Sequence, residues 1–189
     1  MDVSVLGDPP IKVDYSKHDV AEHANMTNKE IIGLGNENDA MIASAKGAKS
    51  LTLKLCKEKK IDGAIALGGT MGTDLALDVF SELPLGFPKC LLSTVAGSPL
   101  IEPQRLPSDI ITVLWAGGLY GLNTICKSSL SQACGAVVGA TLAKHEMPEP
   151  KPIVAITSLG TSALKYIITL LPELEKRGFE GAVFHTTGM

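Results

Sequence analysis

The 189-residue sequence is poor in aromatic side chains, has no surplus of basic residues and contains no long apolar run. Aromatic residues make up 4% of it, whereas 45% is hydrophobic and 19 residues are glycine, which is typical of α/β proteins with buried aliphatic strands. The net charge of −3 lacks the basic excess of a general nucleic-acid binder. No run of about 18 apolar residues and no basic leader with a cleavage site are present. We therefore expect neither a nucleic-acid partner nor a membrane partner.

Paired cysteines and several standard catalytic or nucleotide motifs are also missing. The four cysteines form no C-x-x-C pair, which favours free thiols and a cytoplasmic location. The absence of G-x-x-x-x-G-K-[ST] excludes a Walker-type NTPase. A full G-x-G-x-x-G with an acidic residue about twenty positions on is absent, so dinucleotide binding is not expected. Ser93 is not in a G-x-S-x-G elbow, so a hydrolase triad is not expected either.

What the sequence does contain is a glycine- and threonine-rich turn after an apolar run. Residues 61–67 have the composition and length of a buried strand, and a helical pattern follows from Leu75. Backbone N–H groups at a helix N-terminus lack partners and carry partial positive charge, so they attract phosphate or carboxylate. The turn is predicted to bind a ligand, with a tight structural turn as the alternative. Its candidate residues are Gly68, Gly69, Thr70, Gly72 and Thr73.

The hydrophobic pattern predicts an α/β fold, with a Rossmann-like parallel sheet and flanking helices. Residues 1–147 are expected to form a Rossmann-like subdomain that lacks its first strand–helix unit. Residues 148–189 are expected to form a proline-rich linker and the first βαβ unit of a second, similar subdomain, in which Pro172 kinks or ends the helix. The predicted strands are 2–6, 61–67, 88–94, 109–115, 153–157 and 181–185, and the longer predicted helices are 38–60, 75–83, 123–145 and 163–177.

Four of these strands are followed by loops rich in Gly, Ser, Thr and Asn. Because the carboxyl ends of parallel strands lie on one edge of an open sheet, we expect the loops to converge on one site. These loops are residues 68–73, 93–98, 117–123 and 158–162.

Three further polar residues near the loops have two interpretations each. Asp74 could meet a phosphate through Mg2+, or it could complement the N-terminus of its helix. Asn123 could cap the next helix or bind a ligand. His185 ends a strand, where it could contact a ligand or serve a structural role.

The sequence and order of several segments resemble those of the tobamovirus-resistance-protein-like ATP-binding family. The segments that carry the resemblance are residues 61–73, 83–89, 93–94, 108–110, 121–123, 151–152, 160–161 and 185–188. The resemblance implies two Rossmann-like subdomains that bind ATP, often with Mg2+. It also implies a plant member that binds and inhibits a viral replication protein. Members usually have a strand and a helix before Asp2 and continue past residue 188, so we expect this chain to lack parts of a site between the two halves.

With the resemblance, the leading hypothesis is a nucleotide-binding α/β protein that binds ATP, with Mg2+ as a candidate ion, and has no identified catalytic residue. One alternative is an enzyme acting on a small phosphorylated or carboxylated metabolite, with His185, Asp74 and Asn123 as candidates. Another is a ligand-free, self-associating interaction module. A homo-oligomer is expected under the leading hypothesis as well. The predicted nucleotide-binding residues are Gly68, Gly69, Thr70, Gly72, Thr73, Ser93, Thr94, Gly121, Asn123, Gly160 and Thr161.

Overall fold

A computed structural model describes residues 1–115, 121–143 and 151–186 of the chain. They fall into two compact units, one within residues 1–143 and the other within residues 151–186. The first unit contains α1 (Lys17–His23), α2 (Asn28–Ile32), α3 (Glu37–Lys57), β1 (Ala64–Gly68), α4 (Thr70–Phe80), β2 (Lys89–Ser93), β3 (Ile110–Leu114) and α5 (Thr124–Leu142). The second contains β4 (Ile153–Ser158), α6 (Leu164–Lys176) and β5 (Glu180–His185).

The first unit is built on a parallel sheet in the order β1-β2-β3. All five residues of β2 are buried, because helices cover both of its faces. Leu91 packs with residues of α3 and α4, whereas Cys90 and Leu92 pack with Ala133 and Val137 of α5. Burial raises the pKa of the Cys90 thiol. The predicted α/β fold with a parallel sheet and flanking helices is confirmed.

Side-chain caps fix the start of the first two helices. Ser16 and Thr27 each accept a hydrogen bond from a backbone N–H in the first turn, and the carboxylates of Asp19 and Glu30 bond back to the capping residues. These hydrogen bonds hold the pKa of both carboxyls below their usual values. α3 has its own side-chain cap, Asn36, and buries one stripe of its residues in the core, so the predicted long helix is confirmed.

The predicted strand at residues 2–6 is wrong. The segment has no regular secondary structure, and the Asp2 N–H donates to the Tyr15 carbonyl at 2.8 Å instead of joining a strand ladder. Apolar residues in this segment match a strand pattern, but a strand forms only where another strand pairs with it.

The second unit is one parallel βαβ unit, in which β4 pairs with β5 and α6 packs against β5. The side chain of Leu171 lies so close to Gly181 that a Cβ there would come within 2.2 Å of its Cδ2 atom. Of the two alternatives predicted for Pro172, the end of the helix is wrong, because α6 continues to Lys176, and the kink stays a prediction. In the part of the chain that the structure describes, no helix is long and apolar enough to cross a membrane.

Candidate functional site

The turn after β1 leads directly into α4, which begins at Thr70 and not at Leu75 as predicted. Thr70, Gly72 and Thr73 therefore belong to the first helical turn, and Gly69 is its N-cap residue. Within the described residues, no side chain hydrogen-bonds to this helix end as a cap. The first N–H groups of α4 consequently remain available to an acceptor from outside the helix.

The glycines of this turn have different roles. A Cβ at Gly68 would lie 2.7 Å from the Cα of Gly72, so only glycine allows the strand and the helix to approach this closely. A Cβ at Gly69 or Gly72 would be 3.6 Å from the Thr94 hydroxyl or 3.5 Å from the Leu67 carbonyl, which are ordinary contacts. The close approach thus requires glycine at position 68, whereas positions 69 and 72 have room for a Cβ atom.

Two of the predicted contacts, Thr73 and Ser93, are buried and bonded to each other. Their side-chain oxygens are 2.7 Å apart, and the two residues are 1% and 0% exposed. The Ser93 hydroxyl also accepts the Val95 N–H at 3.1 Å, and the Thr73 hydroxyl donates to the Gly68 carbonyl at 3.4 Å. The turn after β1 and the loop after β2 are therefore joined below the surface.

The ends of the three strands are aligned, as the convergence of loops requires. Gly68 pairs in register with Ser93, and Ser93 pairs with Leu114. The Thr94 N–H donates to the Gly68 carbonyl, which adds a bond between the first two loops. Thr94 itself is exposed beside Gly69. Convergence is thus seen for the loops after β1 and β2.

The third predicted loop, 117–123, is described only from residue 121 onward. Gly121 is exposed and has a positive φ of 74°, a conformation that favours glycine. Asn123 accepts the Cys126 N–H at 2.9 Å and caps α5, which supports the capping interpretation of its side chain. Residues 116–120 lie outside the described part of the chain.

Asp74 is held by an arginine that the sequence analysis did not identify. Arg105 forms an ion pair with the Asp74 carboxylate, a second with Asp78 at 2.6 Å, and donates to the Asp74 carbonyl at 3.3 Å. A Mg2+ ion at Asp74 would compete with this guanidinium for the carboxylate. Across residues 1–115, 121–143 and 151–186, no group of three or more His, Cys, Asp and Glu side chains could hold a metal ion.

Two hollows border the first turn of α4. A cavity of about 230 Å³ lies between Thr70, Asp74, Arg105 and Asn38. A wider and mainly apolar groove of about 870 Å³ runs along the N-terminal segment and is lined by Leu75 and Gly72. The side chains of Met41 and Met71 line both hollows, so polar and apolar space meet at the start of α4.

The second unit brings its own predicted residues to one edge of its sheet. Ser158 at the end of β4 pairs in register with His185 at the end of β5. Gly160 and Thr161 follow in an exposed turn, where Gly160 has a φ of 57°. Residues 187 and 188, which the resemblance includes, lie outside the described residues.

The strand–helix order, the parallel sheet and the glycine turn at its carboxyl edge define a Rossmann-like α/β protein. Residues 1–146 match the N-terminal domain of the family described as Uncharacterised protein family (UPF0261). The chain belongs to this family, which is more specific than the tobamovirus-resistance resemblance.

Relatives of known sequence place the chain more closely. A UPF0261 protein of Brucella suis is 55% identical over 189 residues, which are 100% of this chain and 45% of that protein. A UPF0261 protein of Clostridium tetani is 31% identical over 189 residues, which are 100% of this chain and 46% of that protein. The ToMV resistance protein Tm-1 of Solanum lycopersicum is 30% identical over 186 residues, which are 95% of this chain and 24% of that protein. The chain therefore spans less than half the length of these relatives.

Proposed function

We propose that this chain binds a nucleotide, with ATP as the first candidate, at the carboxyl edge of its three-stranded sheet. The observation that carries the proposal is the start of α4, where the strand runs through Gly68 and Gly69 into a helix whose first turn lacks a side-chain cap among the described residues. Phosphate oxygens would accept hydrogen bonds from the N–H groups of Thr70, Met71 and Gly72.

The electrostatics of α4 are compatible with a phosphate at this position. The first helical turn, from Thr70 to Thr73, contains no acidic side chain, and the next carboxylate, Asp74, is paired with Arg105. The ion pair reduces the repulsion that a free carboxylate would exert on a phosphate. Because Arg105 already occupies Asp74, the proposal includes no Mg2+ bound to that residue.

The apolar groove beside the turn would accept the base of the nucleotide. Its lining includes Met41, Met71 and Leu75, together with Gly72 of the first helical turn. A cavity of about 230 Å³ is small for a whole nucleotide, because ligand pockets usually enclose about 300–1,000 Å³. Phosphates at the turn and a base in the groove would make use of both spaces.

Calorimetric titration of the chain with ATP tests the proposal, with adenosine and inorganic tripolyphosphate as separate probes. We expect ATP to bind and raise the melting temperature, tripolyphosphate to bind more weakly, and adenosine to bind weakest, because the N–H groups recognise phosphate. The weakening of ATP binding by added salt would support an electrostatic contribution. The absence of both a heat signal and a thermal shift at millimolar ATP would overturn the proposal.

The cytoplasm is the proposed location of the protein, because free cysteines favour a reducing compartment.

Self-association is a second candidate, favoured by the outer edge of β1. Among the described residues, no strand pairs with this edge, and Ile65 and Leu67 on it are 40% and 54% exposed. Unpaired apolar edges are prone to pair with another chain. Light scattering should show a homo-oligomer that Leu67→Lys dissociates, and a monomer at all concentrations would exclude self-association.

A viral replication protein as partner rests on the likeness to tomato resistance proteins alone, and no residue is assigned to that interaction.

A further inference from the structure

We propose that Thr73 and Ser93 are positioning residues that couple the turn after β1 to the loop after β2. This inference rests on the proposed nucleotide site, but it changes the role of two residues that the sequence suggests as direct ligand contacts. Both side chains are almost completely buried, so a ligand at the surface of α4 meets the backbone that they hold and not their hydroxyls.

The hydrogen bonds form one continuous chain from one loop to the other. The Val95 N–H lies 3.1 Å from the Ser93 hydroxyl, that hydroxyl lies 2.7 Å from the Thr73 hydroxyl, and the latter lies 3.4 Å from the Gly68 carbonyl. Val95 belongs to the loop after β2, and Gly68 is the last residue of β1. Every bond in this chain joins groups at the carboxyl edge of the sheet.

The number of hydrogens fixes the direction of the chain. A hydroxyl has one hydrogen to donate and two lone pairs that accept. Since Thr73 donates its hydrogen to the Gly68 carbonyl, Ser93 must donate to Thr73 and accept from Val95. Each hydroxyl then donates once and accepts once, so the removal of either one leaves its buried partner unsatisfied.

The chain of bonds ends on the atoms that shape the proposed site. Gly68 immediately precedes Gly69, the N-cap residue of α4, and the Gly69 carbonyl accepts the Thr73 N–H at 2.8 Å. Val95 lines the small cavity together with Thr70. A shift of Thr73 would therefore move the helix end and the cavity wall together, which is the property of a positioning pair.

The test uses Thr73→Val, which keeps the shape of the side chain but removes the hydroxyl, and Thr73→Ser, which restores it. Thr52→Val is the matched control, because the Thr52 hydroxyl is also buried in a helix and donates only to the Ala48 carbonyl of that helix, at 2.7 Å. The full chain is studied with two readouts: hydrogen exchange of the Val95 amide without ligand, and calorimetric affinity for ATP.

We expect Thr73→Val to accelerate Val95 exchange and weaken ATP binding by about tenfold each, as expected for the loss of one buried hydrogen bond. Thr73→Ser should restore both values. Thr52→Val should change ATP affinity by no more than about twofold, and it should accelerate Val95 exchange by no more than about twofold beyond its effect on other amides. Unchanged Val95 exchange in a folded Thr73→Val chain would overturn the coupling.

The second variant, Ser93→Ala, keeps the inference testable if Thr73→Val does not fold. It should accelerate exchange of the Thr73 amide, which donates to the Gly69 carbonyl on the other side of the hydroxyl pair. Where Thr73→Val folds, the double variant Thr73→Val/Ser93→Ala should be no worse than Ser93→Ala alone, since the bonds act as one chain. Fully additive effects would contradict the inference. If the unmodified chain does not bind ATP, the proposed function fails, and the exchange of Val95 still decides whether the coupling exists.

Discussion

The two ends of the three-stranded sheet are held together by opposite kinds of chemistry. At the carboxyl end, the neutral hydroxyls of Thr73 and Ser93 join the loops. At the amino end, the buried ammonium of Lys89 lies 2.8 Å from the Asp109 carboxylate and donates to the Pro84 carbonyl at 3.1 Å. The same carboxylate accepts the Gly86 N–H at 2.7 Å, so one ion pair ties the loop before β2 to the start of β3.

The difference shows which end of the sheet can accept a ligand. The amino end uses its charges internally, because Lys89 is 2% exposed and paired with Asp109. The carboxyl end buries the hydroxyls of Thr73 and Ser93 and has an exposed Gly69 before the uncapped first turn of α4. A buried charge pair makes the fold depend on both partners, because the loss of either leaves an uncompensated buried charge, whereas exposed N–H groups without a side-chain cap give a place for an anion.

The largest effect is expected at the amino end, from Asp109→Ala. Removal of one partner leaves Lys89 buried without its counter-charge, and we expect the free energy of unfolding to fall by about 3–5 kcal/mol in urea denaturation. Glu82→Ala, which breaks the exposed Lys49–Glu82 pair, is the control and should cost about 0–1 kcal/mol. The comparison between the two ends also predicts that ATP affinity per folded molecule does not change in Asp109→Ala. A large loss of affinity would show that both ends serve the site.

The next effect is expected at the carboxyl end, from Gly68→Ala. The new Cβ would lie 2.7 Å from the Gly72 Cα. Because this Cα is a backbone atom and cannot rotate away as a side chain could, α4 must move away from β1. We expect a loss of about 1–3 kcal/mol by urea denaturation, together with weaker ATP binding. Gly72→Ala is the matched control, because its Cβ makes only an ordinary contact at 3.5 Å. Equal stability of the two variants would contradict the close approach seen at Gly68.

The sheet could be predicted from the sequence, because its strands are short aliphatic runs separated by glycine turns. The start of α4 could not be predicted, since Thr70, Gly72 and Thr73 are poor helix formers and the packing of the helix on β1 overrides their propensity. The bonds that define the site join residues far apart in sequence, namely Thr73 with Ser93 and Asp74 with Arg105. No local pattern indicates such pairs. Lys89 inside a buried strand was a visible signal, because a buried lysine needs a partner.

A smaller effect is expected at the start of α5, where the carboxyl end does have a side-chain cap. Asn123→Ala removes the acceptor of the Cys126 N–H and should lower the free energy of unfolding by about 1 kcal/mol. Asn123→Ser keeps a capping oxygen and should recover most of that loss. Calorimetric titration of both variants with ATP distinguishes a helix cap from a ligand contact. A variant with normal ATP affinity but lower stability would confirm that Asn123 serves the helix alone.

The smallest effect on stability, and the sharpest on function, is expected from Gly69→Asp. Its side chain would have room beside the Thr94 hydroxyl at 3.6 Å and could cap α4 as Asn123 caps α5, so the stability should change by only a few tenths of a kcal/mol. The new carboxylate would occupy the N–H groups and repel phosphate, so ATP binding should disappear. Gly135→Asp, on an open face of α5, adds the same charge elsewhere and should leave ATP binding intact. If Gly69→Asp binds ATP as well as the unmodified chain does, the start of α4 is not the phosphate site, and the contrast between the two ends of the sheet is one of stability alone.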